Sequence, residues 1–112
     1  MATFEPGDVV RVPFPYTDRP TRQHRPALVV GAGDLTAGHG LLWVLMITSA
    51  QNRAWVSDVS INDLAAAGLP APSVVRTAKI ATIEAADAQR LGALTPEALA
   101  AVRARLVETL GL

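Results

Sequence analysis

The sequence predicts a mainly β domain with some α-helix: a compact, mostly antiparallel barrel of short strands with one helix packed on it. Over the first three quarters of the chain, short β-branched apolar runs alternate with Gly, Pro, Asn and Asp. Only the last segment repeats its apolar residues at helical spacing, between a strong start signal and a strong stop signal. Half of the 112 residues are apolar, enough to bury a core without metal or disulfide staples. No linker or repeat divides the chain, so residues 1–112 read as a single domain.

Val9-Val10-Arg11-Val12 opens the sheet. Pro13 and Pro15 cannot donate to a ladder, so this strand stops or becomes an edge there. Residues 16–24 are polar and proline-containing, and read as a loop. Ala27-Leu28-Val29-Val30 has the pattern of a buried strand, closed by Gly31, Gly33 and Asp34, and residues 38–40 make a turn. Residues 41–47 form the most apolar strand, which places Trp43 in the core. Residues 55–61 alternate as a half-buried strand, and 62–68 suit one helical turn ended by Gly68 and Pro70. Val74-Val75-Arg76 and residues 79–83 read as two short strands or one strand with a bulge, and residues 84–90 as a short helix. At the end, Thr95 is a good N-cap, Pro96 suits the first helical position and Glu97 favours the positive helix start. Leu99, Val102, Leu106 and Leu110 then share one face, and Gly111 stops the helix.

Composition excludes several kinds of chemistry. The chain has no cysteine, which removes disulfides, thiolate catalysis and thiolate metal sites together. Glu5, Pro6 and Asp8 stand where a signal peptide would be basic and then apolar, and the longest apolar run is too short to span a bilayer. A cytoplasmic protein without membrane contact is the expectation. With only His24 and His39 as histidines and no carboxylates at ligand spacing, neither a metal nor a cofactor is expected. Walker, GxGxxG and GxSxG motifs are absent. Net charge is zero, but Arg11, Arg19, Arg22, His24 and Arg25 crowd the first quarter. Such a stripe can hold phosphates on a neutral protein, although on charge alone a solvated basic loop explains it as well. What remains is a set of cations and hydroxyls near strand ends: Arg25, Thr48, Ser49, Arg76 and Lys79.

Several blocks, in order, resemble the PemK/MazF toxin family. They are Gly7-Asp8-Val9-Val10, Pro13-Phe14-Pro15, Arg25-Pro26-Ala27-Leu28-Val29-Val30, Met46-Ile47-Thr48-Ser49, Ser73-Val74-Val75-Arg76 with Lys79-Ile80-Ala81-Thr82-Ile83, Leu91-Gly92-Ala93-Leu94, and Leu110-Gly111-Leu112. The resemblance implies an SH3-like β-barrel of the PemK/MazF/CcdB toxin type, a homodimer, and a cognate antitoxin. It also implies metal-independent cleavage of single-stranded RNA, in which the ribose 2′-hydroxyl attacks the neighbouring phosphate to leave a 2′,3′-cyclic phosphate and a 5′-hydroxyl. That reaction needs an acceptor for the 2′-hydroxyl proton, a cation on the crowded phosphorane and a proton for the 5′-oxygen.

By that resemblance Arg25 is the catalytic arginine, Thr48 the catalytic threonine, and Arg76 a phosphate ligand or acid. Without it, Arg25 reads as a strand-opening surface residue and Thr48 as a product of β-propensity. Tyr16, Arg22, His24, Ser49 and Lys79 are the RNA-binding candidates: Tyr16 by base stacking, the others by phosphate contact or hydroxyl hydrogen bonding. Lys79 is equally a guard on an edge strand. One family branch carries an Asp two residues after the last arginine as general base. This chain has Ala78, which leaves the base unassigned, with His24 a candidate because histidine titrates near neutrality. Phe14 reads as core, and Trp55 as a dimer-interface residue. An acidic, partly disordered antitoxin segment is expected across residues 19–25, where it would block RNA. Two alternatives stay open: a CcdB-type gyrase poison on the same fold, and a barrel that binds RNA or antitoxin without cutting.

Overall fold

The computed structural model describes residues 3–15 and 22–112, with only the backbone of Arg22. Its six strands form one antiparallel sheet in the order β4-β5-β3-β2-β1-β6. β1 (Asp8–Pro15) runs through both prolines. Its pairing with β6 (Gln89–Ala93) ends at Arg11, while its pairing with β2 (Arg22–Gly31) continues to Pro15. Pro13 and Pro15, two apart and therefore facing the same way, need no partner on the side that β6 has vacated. Of the two fates open to this strand, it becomes an edge.

The central strand is β3 (Leu41–Ser49), between β2 and β5 (Ser73–Glu84). Its register with β5 jumps from Leu45↔Ile80 to Met46↔Arg76, so residues 77–79 bulge out of a single continuous strand. Both faces of the sheet are covered. Val10, Val12, Phe14, Ala27, Val29, Leu42, Val44 and Met46 make one cluster. Val9, Leu28, Leu45, Ile47 and Val75 make the other, with Ala67 of α2 (Leu64–Ala67) and Val102 of α3 (Pro96–Leu110). Burial on two faces explains why the strands read as continuous apolar runs rather than as alternation.

The terminal helix follows its local signals. Thr95 Oγ1 accepts from the Ala98 N–H at 3.3 Å, Pro96 opens the helix, and Gly111 closes it at φ 72°. Val102 is fully buried and Leu106 half-buried, but Leu110 is exposed.

The sheet is not strictly closed, because β4 (Asp58–Ser60) and β6 are its two ends. α2, which follows β4, is seated directly on β6. A methyl group at Gly92 would collide with the carbonyl oxygen of Ala66, and one at Gly68 with that of Leu91, so both positions require glycine.

Five local expectations are corrected. Of residues 16–24, read as a loop, 22–24 belong to β2 and pair with β1, and 16–21 lie outside the described residues. A helix, α1 (Asp34–His39), occupies the segment read as a strand end and turn. Of residues 84–90, only Ala85–Asp87 form a 3₁₀ turn, and Gln89 onward is β6. Of residues 55–61, only Asp58–Ser60 are strand. Trp43 is 48% exposed: it belongs to neither buried cluster and lies over Gly31, whose missing side chain leaves room for the ring.

Candidate active site

β2 and β3 pair in register as Ala27↔Met46, Leu28↔Leu45 and Val29↔Val44. Extending that register two residues places Arg25 opposite Thr48, on the same face. Pro26 lies between, opposite Ile47, and has no N–H to continue the ladder. The two strands therefore separate where a side-chain pair takes over: Arg25 Nη2 donates to Thr48 Oγ1 at 3.2 Å. Arg25 is half-buried, Thr48 is buried, and no carboxylate among the described residues forms an ion pair with Arg25. Its Nε is enclosed without a partner, a cost of roughly 1–3 kcal/mol. The result is a positive charge held against a hydroxyl with no counter-ion among the described residues, an arrangement suited to a phosphate.

A second arm comes from the loop after β3. Asn52 Nδ2 donates to Thr48 Oγ1 at 2.7 Å. The same loop is anchored on Arg76, which is paired with Met46 and lies diagonally across the strand pair from Thr48, about 7–8 Å away. Arg76 is buried and heavily engaged. Its Nε and Nη2 donate to the two oxygens of Asp58 at 3.3 and 3.1 Å, and Nη2 donates to the Arg53 carbonyl at 2.7 Å. Its Cζ stands 4.4 Å from the centre of the Trp55 ring. Asp58 in turn accepts from the Trp55 N–H at 2.9 Å, and Thr77, at the start of the β5 bulge, donates to the Ser57 carbonyl at 2.9 Å. These contacts hold Ser57 at φ 75°, a left-handed conformation rare for a side-chain-bearing residue. The β5 bulge and the Arg76–Asp58 pair thus form a clasp for the loop that carries Asn52.

The structure brings Arg25 and Thr48 into contact and places Arg76 beside them, occupied with Asp58. Lys79, in the bulge, has its Nζ 5.5 Å from the Trp55 ring centre at the outer side of the clasp. Ser49 is exposed and its hydroxyl accepts from the Gln51 N–H at 3.2 Å, which shapes the loop. His24 is exposed and, by strand alternation, faces away from its neighbour Arg25. Tyr16 and the Arg22 side chain lie outside the described residues. Trp55 packs on Arg76. Sequence reasoning missed Asn52 and Asp58. Asp58 alternates correctly within the 55–61 run, but only the fold shows that it faces Arg76.

No group of three or more His, Asp or Glu able to hold a metal ion occurs among the described residues, and none of their helices is long and apolar enough to cross a membrane. Residues 5–110 match the family model of the PemK-like, MazF-like toxin of type II toxin–antitoxin systems. The chain belongs to the PemK/MazF toxin family. No curated protein matches it by sequence. Among solved structures it is similar to MazF from Deinococcus radiodurans, with a TM-score of 0.80 at 23% identity over all of both chains. It is also similar to an endoribonuclease in complex with its cognate antitoxin from a mycobacterial species, with a TM-score of 0.74 at 18% identity over 100% of this chain and 97% of that one. Mycobacterium tuberculosis toxin MazF-mt6 gives a TM-score of 0.69 at 22% identity, over 96% of this chain and 98% of that one. These likenesses establish the SH3-like fold of the family for this PemK/MazF chain.

Proposed function

We propose that this toxin is a metal-independent endoribonuclease acting on single-stranded RNA. The observation that carries the reading is the Arg25–Thr48 pair: an arginine with no counter-ion among the described residues, bonded to a buried hydroxyl at the point where two strands part. In the reaction the 2′-oxygen bonds to phosphorus, the bond from phosphorus to the 5′-oxygen breaks, one proton leaves the 2′-hydroxyl and one reaches the 5′-oxygen. Negative charge accumulates on the non-bridging oxygens between these events. A fixed guanidinium there stabilises the transition state more than the ground state. Arg25 is the phosphate clamp and Thr48 the second phosphate ligand.

Arg76 acts through the loop it holds. With Nε and Nη2 committed to Asp58 and Arg53, it is a positioning residue rather than the acid. Ser49 and Lys79 border the site, and with Tyr16, Arg22 and His24 they are assigned to the flanking RNA. The cognate antitoxin is an acidic segment lying across residues 19–25, and a second copy of the chain covers the exposed pair Trp43 and Ile80. The extended strand register puts those two on one face of β3 and β5. The location is cytoplasmic.

The test is cleavage of a long single-stranded RNA by the purified protein and by its Arg25→Ala and Thr48→Val variants, beside a gyrase supercoiling assay. Cutting at discrete sites by the wild type alone, with gyrase unaffected, supports the nuclease. Gyrase inhibition that survives both substitutions refutes it.

A further inference from the structure

We infer that Asn52 is a positioning residue that fixes the Thr48 hydroxyl as a hydrogen-bond donor to the phosphate. This rests on the proposed nuclease reading and adds to it a residue and a direction for one proton.

A threonine hydroxyl has one proton to give and two lone pairs to receive. Here both lone pairs are filled. Arg25 Nη2 approaches Thr48 Oγ1 at 3.2 Å from β2, and Asn52 Nδ2 approaches it at 2.7 Å from the loop. The O–H is then the only hydrogen-bonding capacity left to Thr48, directed away from both donors. The side chain is buried and β-branched, so the oxygen itself is held in place. A hydroxyl in this state cannot take the 2′-proton, and it donates to an oxygen that carries growing negative charge.

Asn52 is exposed, and an unsupported surface Asn would lose rotamer freedom in making this bond. Its backbone is pinned on both sides. Ala50 N–H donates to the Pro72 carbonyl at 3.0 Å and Asn52 N–H to the Ser49 carbonyl at 3.1 Å. One residue further on, the Arg53 carbonyl accepts from buried Arg76 at 2.7 Å. The Asp58–Arg76 clasp therefore has a consequence at Thr48: it delivers the amide that fills the second lone pair. The orientation of the amide is the decisive feature, since a reversed Asn52 would accept the Thr48 proton instead of leaving it for the phosphate.

Single-turnover cleavage by Asn52→Ala and Asn52→Asp tests this, with Arg25→Ala as the control for the nuclease reading and an RNA bearing a 2′-deoxy at the scissile position to measure binding alone. Asn52→Ala is expected to lower the cleavage rate about tenfold, as loss of one hydrogen bond does, with an unchanged Kd for the deoxy RNA and an unchanged Tm. Asn52→Asp is expected to be slower still, because a carboxylate only accepts and so captures the hydroxyl proton. An Asn52→Ala variant that cuts at the wild-type rate overturns the inference while Arg25→Ala still supports the nuclease. So does a loss carried by Kd or by Tm, or an Asn52→Asp variant as fast as wild type. A wild-type protein that cuts nothing overturns the nuclease reading and the inference together.

Discussion

Asp58→Ala should uncouple the loop from the barrel. The side chains of Arg76 and Asp58 are 9% and 10% exposed, so the substitution leaves a guanidinium buried with the Arg53 carbonyl and the Trp55 ring as its remaining partners. Removing one member of a buried pair costs roughly 3–5 kcal/mol. The contacts that survive argue for the lower end, about 3 kcal/mol. For a domain of this size each kcal/mol lowers Tm by about 4 °C, so the expected fall is about 12 °C. Thermal unfolding followed by circular dichroism measures it. Replacing both partners, Asp58→Leu with Arg76→Met, removes the charge as well as its counter-ion and should recover most of the stability. Cleavage should fall in Asp58→Ala, where Arg76 loses the carboxylate that orients it, and stay low in the double variant, which also lacks the donor to the Arg53 carbonyl. An Asp58→Ala protein that unfolds within about 4 °C of the wild type, the equivalent of one kcal/mol, would show that the pair does not hold the loop.

Three further variants probe the frame. Thr95→Ala removes the oxygen that caps α3 and should lower stability by about 1 kcal/mol in urea titration; an unchanged midpoint would mean the cap is idle. Gly92→Ala drives a methyl into the Ala66 carbonyl and must displace α2 from β6, with a loss of about 1–3 kcal/mol, whereas an unchanged Tm would place α2 elsewhere. Trp43→Ser combined with Ile80→Ser should convert a homodimer into a monomer in sedimentation velocity without lowering Tm at monomer concentrations, because both side chains are already exposed in the single chain. Retention of the dimer would move the interface off this face.

How much of this was legible in the sequence depends on how far apart the deciding groups lie. Helix α3 is written locally: cap, proline and glycine act within a turn of where they stand, so Thr95, Pro96 and Gly111 sufficed. Strand β6 was missed because Gln89, Arg90 and Gly92 have little intrinsic preference for a strand, and it is β1 that pairs them. Trp43 was placed in the core because an apolar run does not reveal which of its positions the covering elements reach. Arg25 and Thr48 were found through family resemblance, but their contact follows from the strand register and from the missing donor of Pro26. Arg76 was read as a chemical group, and its burial with Asp58 depends on β4 lying beside β5, which no local pattern encodes. Asn52 carries no motif at all. It becomes visible only when the clasp brings the loop back over Thr48.

The central claim is that Arg25 and Thr48 assist attack by the RNA's own 2′-hydroxyl. Mass spectrometry of the fragment ends, after digestion in the presence of excess EDTA, tests this most directly. The account predicts 2′,3′-cyclic phosphate ends facing 5′-hydroxyl ends, with cleavage unaffected by the chelator and abolished in Arg25→Ala. Fragments ending in 3′-hydroxyl and 5′-phosphate would mean that water rather than the ribose attacks, and cleavage that stops with EDTA would mean that a metal ion does the work assigned here to Arg25.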